Sequence, residues 1–375
     1  MVFLGAGASA PIGKPTMAGF MPLLIRRLRL DFIDVDGVSE LLSHVGHDLE
    51  ELLEQLASMA DMPYVKAFIM ESSNGPSVGT LPPLPPNIDP HGAMSAKGPR
   101  LVYSIASRLR SAVHKAVIQQ YGSVAKEQAL TLYDPFFDLL FTQFGEPRTL
   151  PGRAWPGLRS ALLPVFTTNY DPAIEAFCEG NFARYSLTDG FRYIEAERRE
   201  GWDPAHFDSP SRHLAKRNLA LFKLHGSADW ITIDSRIRRA EPRYVTDGEE
   251  NWNNCLVYPA KKKVSLEDPY FTCYDYLLQC LERTNICVTI GYSFRDYDAL
   301  TRVKSAMLNN EHLVLIVISP DASEVVNRLG FQPHRARPID LPFGHGEASE
   351  PYLTALKNCF ESVAPASQSV VPASH

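Results

Sequence analysis

Residues 2–16 read VFLGAGASAPIGKPT, and this stretch decides how the rest of the chain is read. An apolar run ends at Leu4 and passes straight into a turn of Gly5, Ala6, Gly7, Ala8 and Ser9. Small residues let main-chain N–H groups approach an anion, and a helix that follows adds the positive end of its dipole. A strand, a glycine turn and then a helix predict the first unit of a phosphate-binding parallel sheet. The strand is short for the middle of such a sheet. Either it is stunted or the true start lies upstream of Met1.

Outward from that turn, Thr16 to Leu30 has the pattern of a helix with Thr16 as its N-cap. VSELLSHVGHDLEELLEQLASMA repeats Leu at intervals of three and four, one apolar stripe on a helix pair. The segment 71–98, rich in Pro, Gly and Ser, has no periodicity and predicts a long mobile loop. Helical pattern returns in LVYSIASRLRSAVHKAVIQQYG and around DPFFDLLFTQFG. Residues 31–150 therefore form a mostly helical block.

Strands and helices alternate from there. LPVFTTNYD, LALFKLHGS and the shorter CLVYPA read as strands. ICVTIGYSF and LVLIVISPD are nearly all apolar, as strands buried on both faces should be. DYDALTRVKSAMLNN between the last two has a helical period, and strand, crossover helix, strand is the grammar of a parallel sheet. The expected fold is α/β: a Rossmann-like, mostly parallel sheet with helices on both faces and an inserted helical module. One domain spans 1–363, with the sheet core in 1–30 and 155–345, and 364–375 form a disordered tail.

Composition bounds the function. The chain has 375 residues, 45% hydrophobic and 21% charged, which suits a globular protein with a sizeable core. A net charge of -6 gives no support to direct nucleic-acid binding. The basic runs Arg26, Arg27, Arg29 and Lys261 to Lys263 read as solvated faces. No pair of the six cysteines has C-x-x-C spacing, so a zinc ribbon is not expected. With no secretory signal and no apolar run of bilayer length, a cytoplasmic, reduced, metal-free protein with no membrane contact is expected.

Ligands of an open parallel sheet bind outside the carboxyl ends of its strands. Four strand ends deliver small or hydrogen-bonding residues there: Gly5 to Ser9, Thr167 to Asp171, His225 to Ser227, and Gly291 to Ser293. Each has a plainer reading. GAGASA alone is a weak G-x-G-x-x-A match. Asp171 before Pro172 fits an N-cap, which leaves a ligand contact open as well. Asn169 fits a turn cap. A lone His225 fits a turn histidine, but its place at a strand exit beside Gly226 and Ser227 favours catalysis.

In that order, FLGAGAS, TTNYD, KLHGS and GYSFRD resemble the sirtuin superfamily, nearest to the bacterial sirtuin-like domains of anti-phage defence systems. The motifs span residues 4 to 296. The resemblance implies NAD as substrate. Gly5, Ala6, Gly7 and Ser9 would hold its pyrophosphate and nearby ribose. Thr168, Asn169 and Asp171 would face the nicotinamide end, with His225 as general base, and Gly291 and Ser293 would line the adenosine side. The chain departs from protein deacylases: it has no paired C-x-x-C zinc module, no recognisable segment for docking a peptide, and Tyr170 inside the Asn-x-Asp motif. Defence relatives also lack zinc and hydrolyse NAD. The resemblance thus implies an NAD glycohydrolase acting by NAD depletion, as a homo-oligomer or under a separately encoded ATPase or nucleic-acid-guided protein. The alternatives are an NAD-binding sensor without turnover, a deacylase, or a dehydrogenase using Asp34 or Asp36 on a second strand.

Overall fold

A computed structural model describes residues 1–31, 52, 98–144, 162–195, 199–208, 216–233, 236–239, 253–257 and 268–363. The expected loop at 71–98 (but for its last residue), the Leu-striped helix pair (but for Leu52), Asp34 and Asp36, Lys261 to Lys263 and the tail at 364–375 lie outside them. The chain divides into two compact units. One comprises Met1–Thr16, Gln120–Val257 and Val264–His375, and the other Met17–Gln119 and Tyr258–Lys263.

The strands are β1 (Val2–Leu4), β2 (Leu163–Thr167), β3 (Tyr185–Thr188), β4 (Phe191–Ile194), β5 (Arg199–Trp202), β6 (Arg217–Lys223), β7 (Trp230–Ile233), β8 (Arg236–Arg239), β9 (Asn253–Asn254), β10 (Ile286–Ile290), β11 (Val314–Ile318) and β12 (Ala336–Ile339). Seven of them form one sheet in the order β12-β11-β10-β1-β2-β6-β3. Every pairing in it is parallel. β4 pairs β5, and β7 pairs β8 and β9, in two small antiparallel sheets. From β1 the chain moves to β2 on one side, and later from β10 to β11 and β12 on the other. The boundary between β1 and β10 is thus the switch point, where ligands of such sheets bind.

Side chains alternate across the sheet with period two. Phe3, Phe166, Ala220, Phe222, Cys287, Leu315 and Val317 enter one core. Val2, Leu4, Val165, Leu219, Leu221, Val288, Ile316 and Ile318 enter the other.

The described helices are α1 (Met17–Asp31), α2 (Gly98–Tyr121), α3 (Lys126–Phe144), α4 (Ala173–Gly180), α5 (Ala205–Asp208), α6 (Tyr270–Arg283), α7 (Tyr297–Asn309), α8 (Ala322–Leu329) and α9 (Ser349–Val363). α6, α7 and α8 close the first core through Leu277, Leu281, Val303, Met307 and Val325. α3, α4 and α9 close the second through Tyr133, Phe136, Phe137, Phe177, Tyr352 and Phe360. An apolar strand flanked by such layers has no solvated face, which is why the runs read so uniformly hydrophobic.

In the second unit α1 buries Phe20, Met21, Leu24, Ile25 and Leu28 and exposes Arg26, Arg27 and Arg29, a solvated basic face. The helical block is divided differently from the expected 31–150. α1 already lies in the second unit, whereas α3 lies in the sheet unit, because Leu132, Tyr133, Phe136 and Phe137 pack in the core beside Val165 and Leu221. Leu28 to Asp31, which lead toward Asp34 and Asp36 of the dehydrogenase alternative, are the last turn of α1. CLVYPA is not a strand over Cys255, Leu256 and Val257. There the Val257 N–H bonds the His225 carbonyl (2.9 Å) and the Cys255 carbonyl takes the Tyr270 hydroxyl, so these main-chain groups bond outside any strand ladder.

Candidate functional site

The glycine turn is not a bare loop. Ala6–Ala8 and Ala10–Ile12 are two single turns of 3-10 helix, and α1 starts only at Met17, in the other unit. The helix expected from Thr16 to Leu30 is α1, and these two short turns separate it from the glycine turn. Four of the glycine turn's five amides bond main-chain carbonyls. Gly5 N–H bonds Ile290 O at 2.9 Å, Gly7 N–H bonds Gly291 O at 3.0 Å, and Ala8 and Ser9 bond Gly5 O and Ala6 O.

The glycines serve a close approach of two turns. A Cβ on Gly5 would fall 2.5 Å from Gly291 O, and one on Gly7 would fall 2.7 Å from Gly291 Cα. Gly291 has φ +58, and its Cβ would meet Gly7 Cα at 2.3 Å. No other residue type fits there without displacing backbone. The exit of β10 is thus stacked on the exit of β1.

Side chains carry the polarity of the site. Ser9 is buried; its hydroxyl donates to Asp171 Oδ1 at 3.2 Å and accepts from Asn169 Nδ2 at 3.0 Å. Tyr133, from α3, lies 3.5 Å from the same hydroxyl and donates to Ala8 O at 3.1 Å. Because Ser9 gives its proton to a carboxylate, the Asn169 amide must present nitrogen to it, which directs the carbonyl oxygen the other way. Asn169 N–H bonds Thr167 Oγ1, and Thr168 N–H bonds Leu4 O, which fixes this segment against β1. Asp171 Oδ1 also accepts from Ala173 N at 3.2 Å, so it braces the first turn of α4 from one residue before the N-cap, which is Pro172, and joins the cluster too. Burial pushes the Asp171 carboxyl above its ordinary value, against the pull of Lys223 and of the Ser9 hydrogen bond.

Lys223, the last residue of β6, is 2% exposed. Its ammonium donates to Asp171 O (2.7 Å), Ser227 Oγ (2.6 Å) and Glu175 Oε1 (3.1 Å). All three donors of a lysine are thereby used. Ser227 Oγ in turn donates to Tyr170 O. One buried cation thus ties the β2 exit, α4 and the β6 exit.

His225 follows two residues later, buried. Its Nε2 lies 2.8 Å from Asp296 Oδ2 and 3.2 Å from the Tyr274 hydroxyl, which itself donates to Asp296 Oδ2 at 2.8 Å. Asp296 Oδ1 caps α7 through Asp298 N–H and Ala299 N–H. Burial alone would raise the Asp296 carboxyl. Hydrogen bonding and attraction from His225, with Tyr274 and the Ala299 N–H, more than offset that and hold it at about 2. The Tyr274 hydroxyl is pushed up by burial and by the Asp296 carboxylate. Between Gly291 and Asp296 stands Phe294 at φ 55, a backbone region costly for a bulky residue. Its buried ring lies 4.7 Å from that of Tyr292.

The expected residues form three groups. Gly5, Gly7 and Gly291 meet backbone to backbone, and Ser9, Asn169 and Asp171 meet through side chains. His225 stands with Asp296 and Tyr274, its ring 6.5 Å from that of Tyr170 in the Asn169 segment. Ala6 and Ser293 are exposed, and the Ser293 carbonyl accepts from Arg328. Lys223, Tyr274 and Asp296 were not among the expected site residues. A lysine inside the apolar run LALFKL was a signal, since a buried lysine must be paired. Asp296 ahead of a helical period was another; Tyr274 gives none. Among the described residues no three His, Cys, Asp or Glu side chains are grouped to hold a metal ion, and no helix is long and apolar enough to cross a membrane.

Residues 164–333 match the family model of the SIR2-like domain. This match supports the sirtuin superfamily for the stretch that holds Asn169, Asp171, His225, Gly291 and Asp296. The β1 turn lies outside the matched SIR2-like stretch. No curated protein matches the chain. Among solved structures, a mutant Sir2 homologue bound to 2′-O-acetyl ADP-ribose is 13% identical, with a TM-score of 0.38 over 97% of this chain and 93% of that one. A Sir2 homologue in complex with NAD is likewise 13% identical, with a TM-score of 0.39 over 97% and 90%. At these TM-scores the likeness carries no argument about the site.

Proposed function

We propose that the chain is an NAD⁺ glycohydrolase that breaks the bond between nicotinamide and ribose. The observation that carries this reading is the buried Ser9–Asn169–Asp171 cluster, which joins the β1 and β2 exits next to the switch point of a parallel sheet, with His225 at the following strand exit. The SIR2-like match over Asn169 and His225 supports it.

The bond from ribose C1′ to the nicotinamide nitrogen breaks with its electron pair leaving on nicotinamide, so positive charge grows on the ribose. Water adds at C1′, its proton passes to His225, and the products are nicotinamide, ADP-ribose and one proton. Asn169, with its nitrogen held by Ser9, turns its carbonyl oxygen to a ribose hydroxyl or to the water without adding charge. Gly5, Ala6, Gly7, Thr168, Asp171, Gly291 and Ser293 shape the dinucleotide site around these two. The Gly5, Gly7, Ala8 and Ser9 amides are engaged with carbonyls, so recognition rests on side chains and on the exposed edge of the turn at Ala6. General-base help of this kind contributes about 10²- to 10⁴-fold in rate.

The same reading makes the chain a cytoplasmic effector of anti-phage defence that depletes NAD. Control comes from outside the chain: a separately encoded ATPase or nucleic-acid-guided protein regulates it, or self-assembly opens its pocket. The test is release of free nicotinamide from NAD⁺ by the purified chain, alone and with proteins encoded beside it. His225→Ala and Asn169→Ala should each remove most of the release while remaining folded. Unchanged turnover in either variant, or reduced cofactor in place of nicotinamide, overturns the reading.

A further inference from the structure

We infer that Asp296 is a positioning residue that pins the His225 ring with its proton on Nε2 and leaves Nδ1 as the nitrogen that takes up the proton in the reaction. The role of His225 as base rests on the functional reading above; the tautomer does not.

The geometry is specific. Asp296 Oδ2 receives two donors, His225 Nε2 at 2.8 Å and the Tyr274 hydroxyl at 2.8 Å, while Oδ1 receives the amides of Asp298 and Ala299. A carboxylate that accepts on both oxygens has no proton to give, so the shared hydrogen belongs to the imidazole. Asp296 and His225 side chains are 9% and 5% exposed, so little water competes for the contact. Tyr274, the second neighbour of Nε2, directs its hydroxyl hydrogen to Asp296 Oδ2. A neutral ring that carries hydrogen on Nε2 has its lone pair on Nδ1.

The ring is also anchored from behind. The His225 carbonyl accepts Val257 N–H at 2.9 Å. Arg302 lies over the Tyr274 ring at 4.6 Å and donates to Tyr274 O at 3.1 Å, which steadies the second donor. Asp296 is itself fixed as the cap of α7. The general base is thus oriented by a helix terminus that belongs to a different strand exit.

Asp296→Asn is a discriminating change, because asparagine caps helices as well as aspartate does. Its oxygen can serve the two amides, but the other group is then NH₂, a donor facing Nε2. That arrangement needs Nε2 bare and the proton moved to Nδ1. The experiment uses the full chain labelled with ¹⁵N-histidine, its eleven histidines resolved by difference from a His225→Gln variant. The neutral ring is read at the alkaline end of a pH series. The expected result is Nε2–H in the parent and in Tyr274→Phe, and Nδ1–H in Asp296→Asn, with nicotinamide release in Asp296→Asn down roughly a hundredfold or more, within the range of general-base effects. Nδ1–H in the parent, the same tautomer in parent and Asp296→Asn, or a flip in Tyr274→Phe overturns the inference. Should Asp296→Asn not fold, Asp296→Ser keeps a capping oxygen too short to reach the ring, and an unchanged Nε2–H there overturns it equally. If the parent releases no nicotinamide, the functional reading falls while the tautomer result still decides this one.

Discussion

Ser9 and Asn169 are 160 positions apart in the chain, yet their side chains meet at 3.0 Å inside the protein. The contact joins the exit of the first strand to that of the second and sets the direction of the Asn169 amide. Ser9→Ala removes an acceptor from Asn169 and a donor from Asp171 together. The expected cost is about 1–3 kcal/mol, the penalty for leaving a buried polar group unpaired. Urea denaturation of parent and variant measures it, and a free-energy difference indistinguishable from zero contradicts it.

Gly291→Ala should be far more damaging than Gly330→Ala. Both glycines have left-handed backbone, which costs an alanine roughly 1–2 kcal/mol. At Gly330 nothing lies within 4 Å of the added carbon, whereas at Gly291 it would overlap Gly7 Cα at 2.3 Å. Melting temperatures of the two variants separate backbone cost from collision. Equal shifts would mean that the two turns do not press on each other.

Lys223→Met leaves the Glu175 carboxylate, 15% exposed, without its cation. Breaking one side of a buried pair costs about 3–5 kcal/mol. Adding Glu175→Gln removes the stranded charge and should return a good part of that loss. A double-mutant cycle reads the coupling, and a cycle that sums to zero says the ammonium does not hold these elements together.

Asp296 should make stability depend on acid. Its carboxyl dissociates at about 2 in the fold against an ordinary 3.8, so the folded state favours the ionised form. That contribution is present above about pH 4 and is lost as pH falls toward 2. Its size is about 2 kcal/mol, from ~1.4 kcal/mol for each tenfold change in the acid dissociation constant. Asp171, whose carboxyl is pushed the other way, works against it in the whole protein. The difference between parent and Asp296→Asn isolates this contribution, and parallel stability curves between pH 5 and 2 (about the range set by linkage) would refute it.

The sheet was legible because its strands are buried on both faces. VFTT, LALFK, ICVTI and LVLIVI are apolar but for Thr167, Thr168, Lys223 and Thr289, and the first three lead directly into residues of the candidate site. β3 and β12 were harder: YSLT is short and half polar, and Pro338 lies inside β12, which is tolerated because that strand is an edge. The spacing of the glycines marks a turn that needs bare backbone, and the structure adds a second reason for it, the close approach of Gly291. Ser9, Asn169 and Asp171 could be seen as strand exits that converge; that Tyr274 and Asp296 clamp His225 could not. Tyr274 sits in α6 like any core aromatic, and only the packing of α6 beside α7 gives its hydroxyl a task.

The stacking of Gly7 on Gly291 has a consequence for synthesis. A ribosome that has released the first few hundred residues holds a nascent chain whose opening turn still lacks its counterpart and whose histidine still lacks its carboxylate. If the assembled protein destroys a cofactor every cell depends on, translation order itself delays the hazard until β10 and the cap of α7 have left the exit tunnel.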